Sequence, residues 1–244
     1  FTLILSSITI IFSSLTLLSL PVLFNYESKV TKIEKNFFKN FKIYLKSSGK
    51  ISYKPFPKPH LLVENARLNL SESTGKNNLI DTSNLKIFIS LRNLYLRSFD
   101  NLSSTQISNS NINLEVSDIK KLRKHLYEKV NKPIKLTNCK IFLKNKKNEV
   151  ILISPIKTSF YKINNKNKIK SLIINGQLFG LNFKSEWKRN YITPKISSHS
   201  IDIFNPNIEI KNIFEFQNTN KFKGTSQIFY DQDKLVYNYQ FNNN

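Results

Sequence analysis

The sequence holds no methionine, one cysteine, one tryptophan, three histidines, five glycines and eight prolines in 244 residues. A lone cysteine, Cys139, excludes an internal disulfide framework and any metal site built on paired thiolates. Five glycines leave little from which to build a phosphate-cradling loop, and no GxGxxG, GxxxxGK[ST] or GxSxG spacing occurs. His60, His125 and His199 lie far apart and in no HExxH-type array, so they are expected to be structural or surface residues. Carboxylates are few and scattered; Glu64 near Arg67 suggests an ion pair, with nothing pointing to acid–base work. These shortages argue against an enzyme, a metal site or an organic cofactor. Without a methionine, and opening inside an apolar run, the chain is expected to be a piece of a longer protein, truncated at the C-terminus as well.

Acidic residues are also short: 16 Asp and Glu against 38 Lys and Arg give a formal charge of +22. A basic excess can serve nucleic acid or anionic lipid. Here the lysines are spread along the whole chain beside abundant Asn, Ile, Phe and Tyr, a set that A+T-rich codons favour. The balance is therefore read first as a solvated surface and second as attraction to a membrane surface. A nucleic-acid binder needs a basic stripe, and none is seen, so nucleic acid is not an expected partner.

What the sequence does contain is a charge-free run from Phe1 to Phe24, ending before the first charge at Glu27. At about 1.5 Å per residue such a run spans a bilayer core of about 30 Å. Its serines and threonines can bond back to carbonyls of the preceding turn, and Pro21 sits near the end, where a kink costs least. No small-x-small cleavage site follows, so residues 1–25 are read as an uncleaved anchor. Lys29, Lys32, Lys35 and Lys39 follow the span. The positive-inside rule would make that flank cytoplasmic, yet long domains translocate largely regardless of charge, so charge leaves the topology open.

Val30, Ile33, Phe37, Phe41 and Tyr44 recur at three- and four-residue steps and predict an amphipathic helix within a linker, residues 26–48, stopped by Gly49. From residue 49 to 244 the period changes to two. Leu62, Ala66, Leu68 and Leu70 are expected on one strand face, as are Leu85, Ile87, Ile89 and Leu91, and Ile112, Leu114 and Val116. Further runs follow to the C-terminus, with Trp187 and the many Phe and Tyr residues at alternating, core-like positions. One helix interrupts the strands, with Ser117 as N-cap and Ile119, Leu122, Leu126 and Val130 as its apolar stripe. Pro55, Pro57 and Pro59 cannot join a central ladder and predict a stiff spacer between strands 51–53 and 61–70. Gly176 and Gly180 fall inside a strand pattern and predict bulges or tight bends. The fold class is mainly β: an antiparallel, curled sheet, groove or partial barrel, behind a membrane helix and a short amphipathic helix, with one inserted helix.

An anchor, a short helix and then "GKISYKPFPKPHLLVENARLNL" resemble the N-terminal region of AsmA-family proteins, through Gly49, Ile51, Pro57, Pro59, Leu61, Val63, Ala66 and Leu68. Leu91, Leu94 and Leu96, then Ile107, Ile112 and Leu114, are similar to the family's continuation, and "LIINGQLFGLNFKSEW" to a later segment, so that roughly residues 1–190 are covered. Asn and Lys replace the expected Gly-rich turns, and Pro55 is extra. The resemblance implies anchorage in a bacterial inner membrane with the bulk of the chain in the periplasm. It also implies a role in outer-membrane assembly or phospholipid transport through an apolar β-groove, and no catalytic residues. The expected partners are the bilayer, phospholipid acyl chains and other envelope proteins. Leu62, Leu68, Ile87, Ile89, Ile112 and Leu114 are the candidates to line the groove, or equally a dry core. The competing reading is an envelope scaffold that binds proteins by strand-edge pairing and conducts no lipid.

Overall fold

The computed structural model describes residues 2–71, 79–192, 196–216 and 221–242. Helix α1 (Thr2–Ser19) continues into a 3-10 turn at Leu20–Leu23. The combined 22 residues, Thr2–Leu23, are long and apolar enough to cross a membrane, and no residue of α1 itself is buried in the protein. Ser6, Ser7, Thr9 and Thr16 each donate their hydroxyl to a carbonyl three or four residues back, as expected for polar side chains in an apolar helix.

Helix α2 (Val30–Phe41) follows, then β1 (Tyr44–Ser47), β2 (Ile51–Lys54), β3 (His60–Val63), β4 (Ala66–Asn69), β5 (Ile80–Thr82) and β6 (Leu85–Ile89). A short helix α3 (Leu91–Tyr95) leads to β7 (Leu102–Ser108) and β8 (Asn111–Glu115), and α4 (Val116–Glu128) to β9 (Ile134–Lys144). The chain then runs back and forth through β10 (Val150–Asn164), β11 (Ile169–Leu178), β12 (Leu181–Asn190), β13 (Ile196–Phe204), β14 (Asn207–Phe216), β15 (Lys221–Tyr230) and β16 (Asp233–Asn242).

All sixteen strands form one open sheet, and no ladder joins its first strands to β16 among the described residues. The branching is simpler than it looks. β1 and β2 pair with β4 and β3, these with β5 and β6, and these with β8 and β7, so each consecutive pair acts as one long strand broken in the middle. The breaks line up across the sheet. Asn65, Asn109 and Asn138 adopt left-handed backbone (φ 53°, 54° and 53°), which asparagine tolerates better than most residues. Opposite Asn138, β10 has a register shift between Ile156 and Thr158, and Gly176 pairs with Ile156. The result is a crease running from Gly49 to Gly176, which bends the sheet along one line. Gly180 serves a different purpose, supplying positive φ (80°) in the β11–β12 turn.

The ladders are antiparallel except where β9 runs parallel to both β7 and β8, with α4 as the crossover that a parallel connection requires. Two helices interrupt the strands where one was expected. Ser90 caps α3 by accepting a hydrogen bond from the Asn93 amide, so Leu91 opens a helix instead of ending a strand. The N-cap of α4 is Glu115, and Ser117 lies in the first turn.

Ile33, Phe37 and Phe41 of α2 are fully buried against the sheet, as their spacing predicts. Helix α2 is therefore the centre of the N-terminal core, where a linker was expected. It stops at Lys42, whose left-handed conformation (φ 57°) ends the helix, so Tyr44 is already in a strand. Gly49 stops no helix; it sits at the crease. The proline segment is the tip of the β2–β3 hairpin: Lys54 pairs with His60 across it, so it joins two partners directly instead of spacing them apart. Arg67 lies opposite Asp81 on the next strand, 3.9 Å away and exposed, and makes no ion pair with Glu64 among the described residues.

Candidate functional site

Residues paired directly across a ladder share a face. One rung runs Leu61, Ile87, Thr105, Ile134, Tyr161, Leu172, Trp187, His199, Asn212, Ser226 and Tyr237. The next, starting beyond the first breaks, runs Leu136, Ser159, Ile174, Ser185, Ile201, Ile210, Ile228 and Leu235. A single face, mostly apolar, thus passes from the first strands to the last. The opposite face of β12–β16 carries most of the charges, with ion pairs Lys188–Glu186 (2.8 Å), Lys211–Glu209 (2.8 Å) and Lys223–Glu215 (3.0 Å) on it, while Arg189 lies on the apolar face over the Phe216 ring. These exposed pairs contribute little stability; their placement is the informative part.

The apolar face is covered in stages. Helix α2 closes it over the strands up to β8. Helix α4 covers the next part and is held by its C-terminal end. The Tyr161 hydroxyl donates to the carbonyls of Leu126 (2.7 Å) or Val130 (3.0 Å). The Lys170 ammonium donates to those of Tyr127 (2.8 Å) and Val130 (2.9 Å) and to Asn131 Oδ1 (2.9 Å). Burial lowers the pKa of Lys170, and the negative end of the helix dipole offsets part of that penalty. From α4 the Arg123 guanidinium also reaches over the Trp187 ring, 5.7 Å from its centre.

Beyond Trp187 no helix covers the face among the described residues. Phe214, Phe222, Tyr239 and Phe241 form an aromatic cluster on it, with ring centres 5.0–6.5 Å apart. Tyr239 lies flat because its neighbour is Gly224, where a Cβ would stand 2.5 Å from the ring. The aromatics were expected to pack as core; instead this group lines a half-exposed surface. A soluble protein rarely leaves so large an apolar area uncovered unless something binds there.

The six candidate residues fall elsewhere on the sheet. Leu68 and Ile87 are completely buried, and Ile89, Ile112 and Leu114 nearly so, all in the closed core. Leu62 lies on the other face. The break at Asn65 resets the alternation, so the inward residues are Leu61, Val63, Ala66 and Leu68. Missed were Ile201, Ile210, Phe214, Phe222 and Ile228 on the open part. The alternation in "SIDIFNPNIEIKNIFEF" carries the same period-two signal, but nothing in a pattern of strands tells which of them a helix will cover.

No group of three or more His, Cys, Asp or Glu could hold a metal among the described residues. The histidines sit singly. His60 Nδ1 donates to the Lys58 carbonyl at 2.8 Å. His199 stacks on Trp187 at 3.8 Å between ring centres, with its Nε2 3.0 Å from the Ser185 hydroxyl. Burial pulls the His199 pKa down to about 4. The native state then binds the proton less readily than the unfolded chain, whose histidine titrates near 6.5. Stability from this group is fully present above pH 6.5 and is lost as pH falls toward 4. Part of the ring stays in water, which softens the effect. Emission of Trp187, the only tryptophan, is expected to stay constant from pH 8 to about 5 and to change with a midpoint near 4. His199→Phe should remove the transition; a midpoint near 6.5 would mean that the imidazole is not desolvated.

Compared with protein-family models and with curated proteins, the chain matches none.

Proposed function

We propose that the chain is a non-enzymatic, AsmA-like protein held in a bacterial inner membrane, with its sheet in the periplasm. In this reading it shields phospholipid acyl chains on the open part of its apolar face, in outer-membrane assembly or lipid transport. The observation that carries the reading is the single apolar face, closed by α2 and α4 near the anchor and bare over β13–β16. Apolar burial would drive binding, while headgroups remained in water. No residue needs to react, which fits the scarcity of candidate catalytic groups.

The test is purification in mild detergent followed by mass spectrometry of co-purified lipid. Phospholipid is expected at about one molecule or more per chain. Ile210→Glu combined with Phe214→Glu should remove most of it, because a carboxylate facing an acyl chain is costly unless paired. Circular dichroism should be unchanged, since both positions lie outside the closed core. Charges at Ile87 or Ile89 would be uninformative, because they would unfold the protein. A wild-type protein free of lipid overturns the proposal. That outcome would favour the scaffold reading, for which the outer edge of β16, unpaired among the described residues, offers a site for strand addition.

A further inference from the structure

The end of α1 is held by the domain. The Tyr26 hydroxyl donates to the Pro21 carbonyl (2.8 Å), that of Tyr53 to Leu18 (3.1 Å) and that of Tyr95 to Leu17. Phe24 packs edge-on against Tyr95 at 6.1 Å, and the Arg97 guanidinium lies 5.1 Å over the Phe24 ring. These bonds fix a level. Leu17 and Leu18 lie five to six residues before the end of the apolar span at Leu23, about 8–9 Å along the helix axis. The interfacial layer of a bilayer is about 5–8 Å deep on each side. The elements that carry Tyr53 and Tyr95 therefore reach at least the full depth of the headgroup layer beside the anchor.

Each of these elements ends in an exposed apolar residue. Phe56, three residues past Tyr53 at the tip of the β2–β3 hairpin, is 63% exposed. Leu96, next to Tyr95, is 66% exposed. Lys54, Lys58, Arg92 and Arg97 stand exposed around them; of the acids, Asp100 is the nearest in sequence to Leu96, and its carboxylate accepts from Ser98. Aromatic and apolar tips rimmed by long cationic side chains suit a membrane–water interface.

We propose that Phe56 and Leu96 insert into the bilayer surface next to α1, with the basic residues on anionic headgroups, so that the domain sits on the membrane through three points. This rests on α1 crossing the bilayer and not on lipid in the open sheet face. The proline segment then has a purpose: a stiff tip with few amides to desolvate.

The experiment uses the full chain in nanodiscs of phosphatidylethanolamine and phosphatidylglycerol. An environment-sensitive fluorophore is attached to Phe56→Cys, Leu96→Cys, Ile11→Cys and Asn145→Cys in turn. The native Cys139 is buried and is replaced by serine. Labels at 56 and 96 are expected to shift to the blue and to be quenched by lipids spin-labelled near the headgroup. The label at 11 should be quenched by lipids labelled deep in the chain, and that at 145, at the opposite end of the strands, by neither. Water-like emission at 56 and 96 with deep quenching at 11 overturns the proposal while leaving the anchor intact. Water-like emission at 11 as well overturns it by removing its premise. Raising the phosphatidylglycerol fraction should increase the quenching at 96 at least two-fold, and Arg97→Gln should abolish that increase.

Discussion

Phe37→Ala is expected to lower stability by about 3–5 kcal/mol, the usual cost of removing a fully buried phenylalanine and leaving a cavity. Phe37 is completely buried and its ring lies 4.7 Å from that of Phe41. It sits on the inner side of α2, where it fills the space enclosed by the bent sheet. Surrounding strands cannot collapse into the gap, because the breaks at Asn65, Asn109 and Asn138 set the curvature that holds them apart. The measurement is urea denaturation of the full chain in mild detergent, followed by circular dichroism. Ile213→Ala, on the outer face and 56% exposed, is the comparison and should change stability by about 0.5 kcal/mol or less. Equal effects at the two positions would mean that α2 rests on the sheet without supporting it.

Gly49→Ala should come next in size, at about 2–3 kcal/mol. A Cβ there would stand 2.3 Å from the Glu64 carbonyl oxygen. That oxygen belongs to the backbone at the crease, and the adjacent Glu64 amide donates to the Lys50 carbonyl at 3.0 Å. Relief requires the two long strands to part at the fold line, which loosens the β1–β4 and β2–β3 pairings together. Gly224→Ala makes the contrast. Its Cβ would meet the far end of the Tyr239 ring, which can swing away. Its cost should be less than half as large, and it should appear in lipid binding more than in stability. Hydrogen exchange at Leu45 and Leu68 separates the cases: Gly49→Ala should raise it and Gly224→Ala should not.

These contrasts also show what could be read from the chain and what could not. The long apolar N-terminal helix, the α2 stripe of Ile33, Phe37 and Phe41, and the mainly-β character are local patterns, and they appear where the sequence puts them. The face assignment at Leu62 failed because one asparagine with positive φ reverses all later parity, and asparagine gives no warning of which conformation it will adopt. The parallel pairing of β9 is a matter of long-range topology that no window of sequence contains. The distinction between Ile87, sealed under a helix, and Ile210, open to solvent, depends on where α2 and α4 come to lie; both residues show the same alternation. The glycines at 176 and 180 were legible as bends, since few other uses exist for glycine inside a strand.

The tyrosine clamp on α1 has a mechanical meaning. A flexible tether would let the domain drift while the anchor adjusted to its bilayer. A helix end gripped at the carbonyls of Leu17, Leu18 and Pro21 cannot pivot freely, so any lean of the helix is handed on to the sheet. If these 22 residues cross the bilayer, as proposed, they are slightly long for a thin one and accommodate by leaning. Bilayer thickness would then act as a lever, setting the angle at which the open strands stand above the membrane surface.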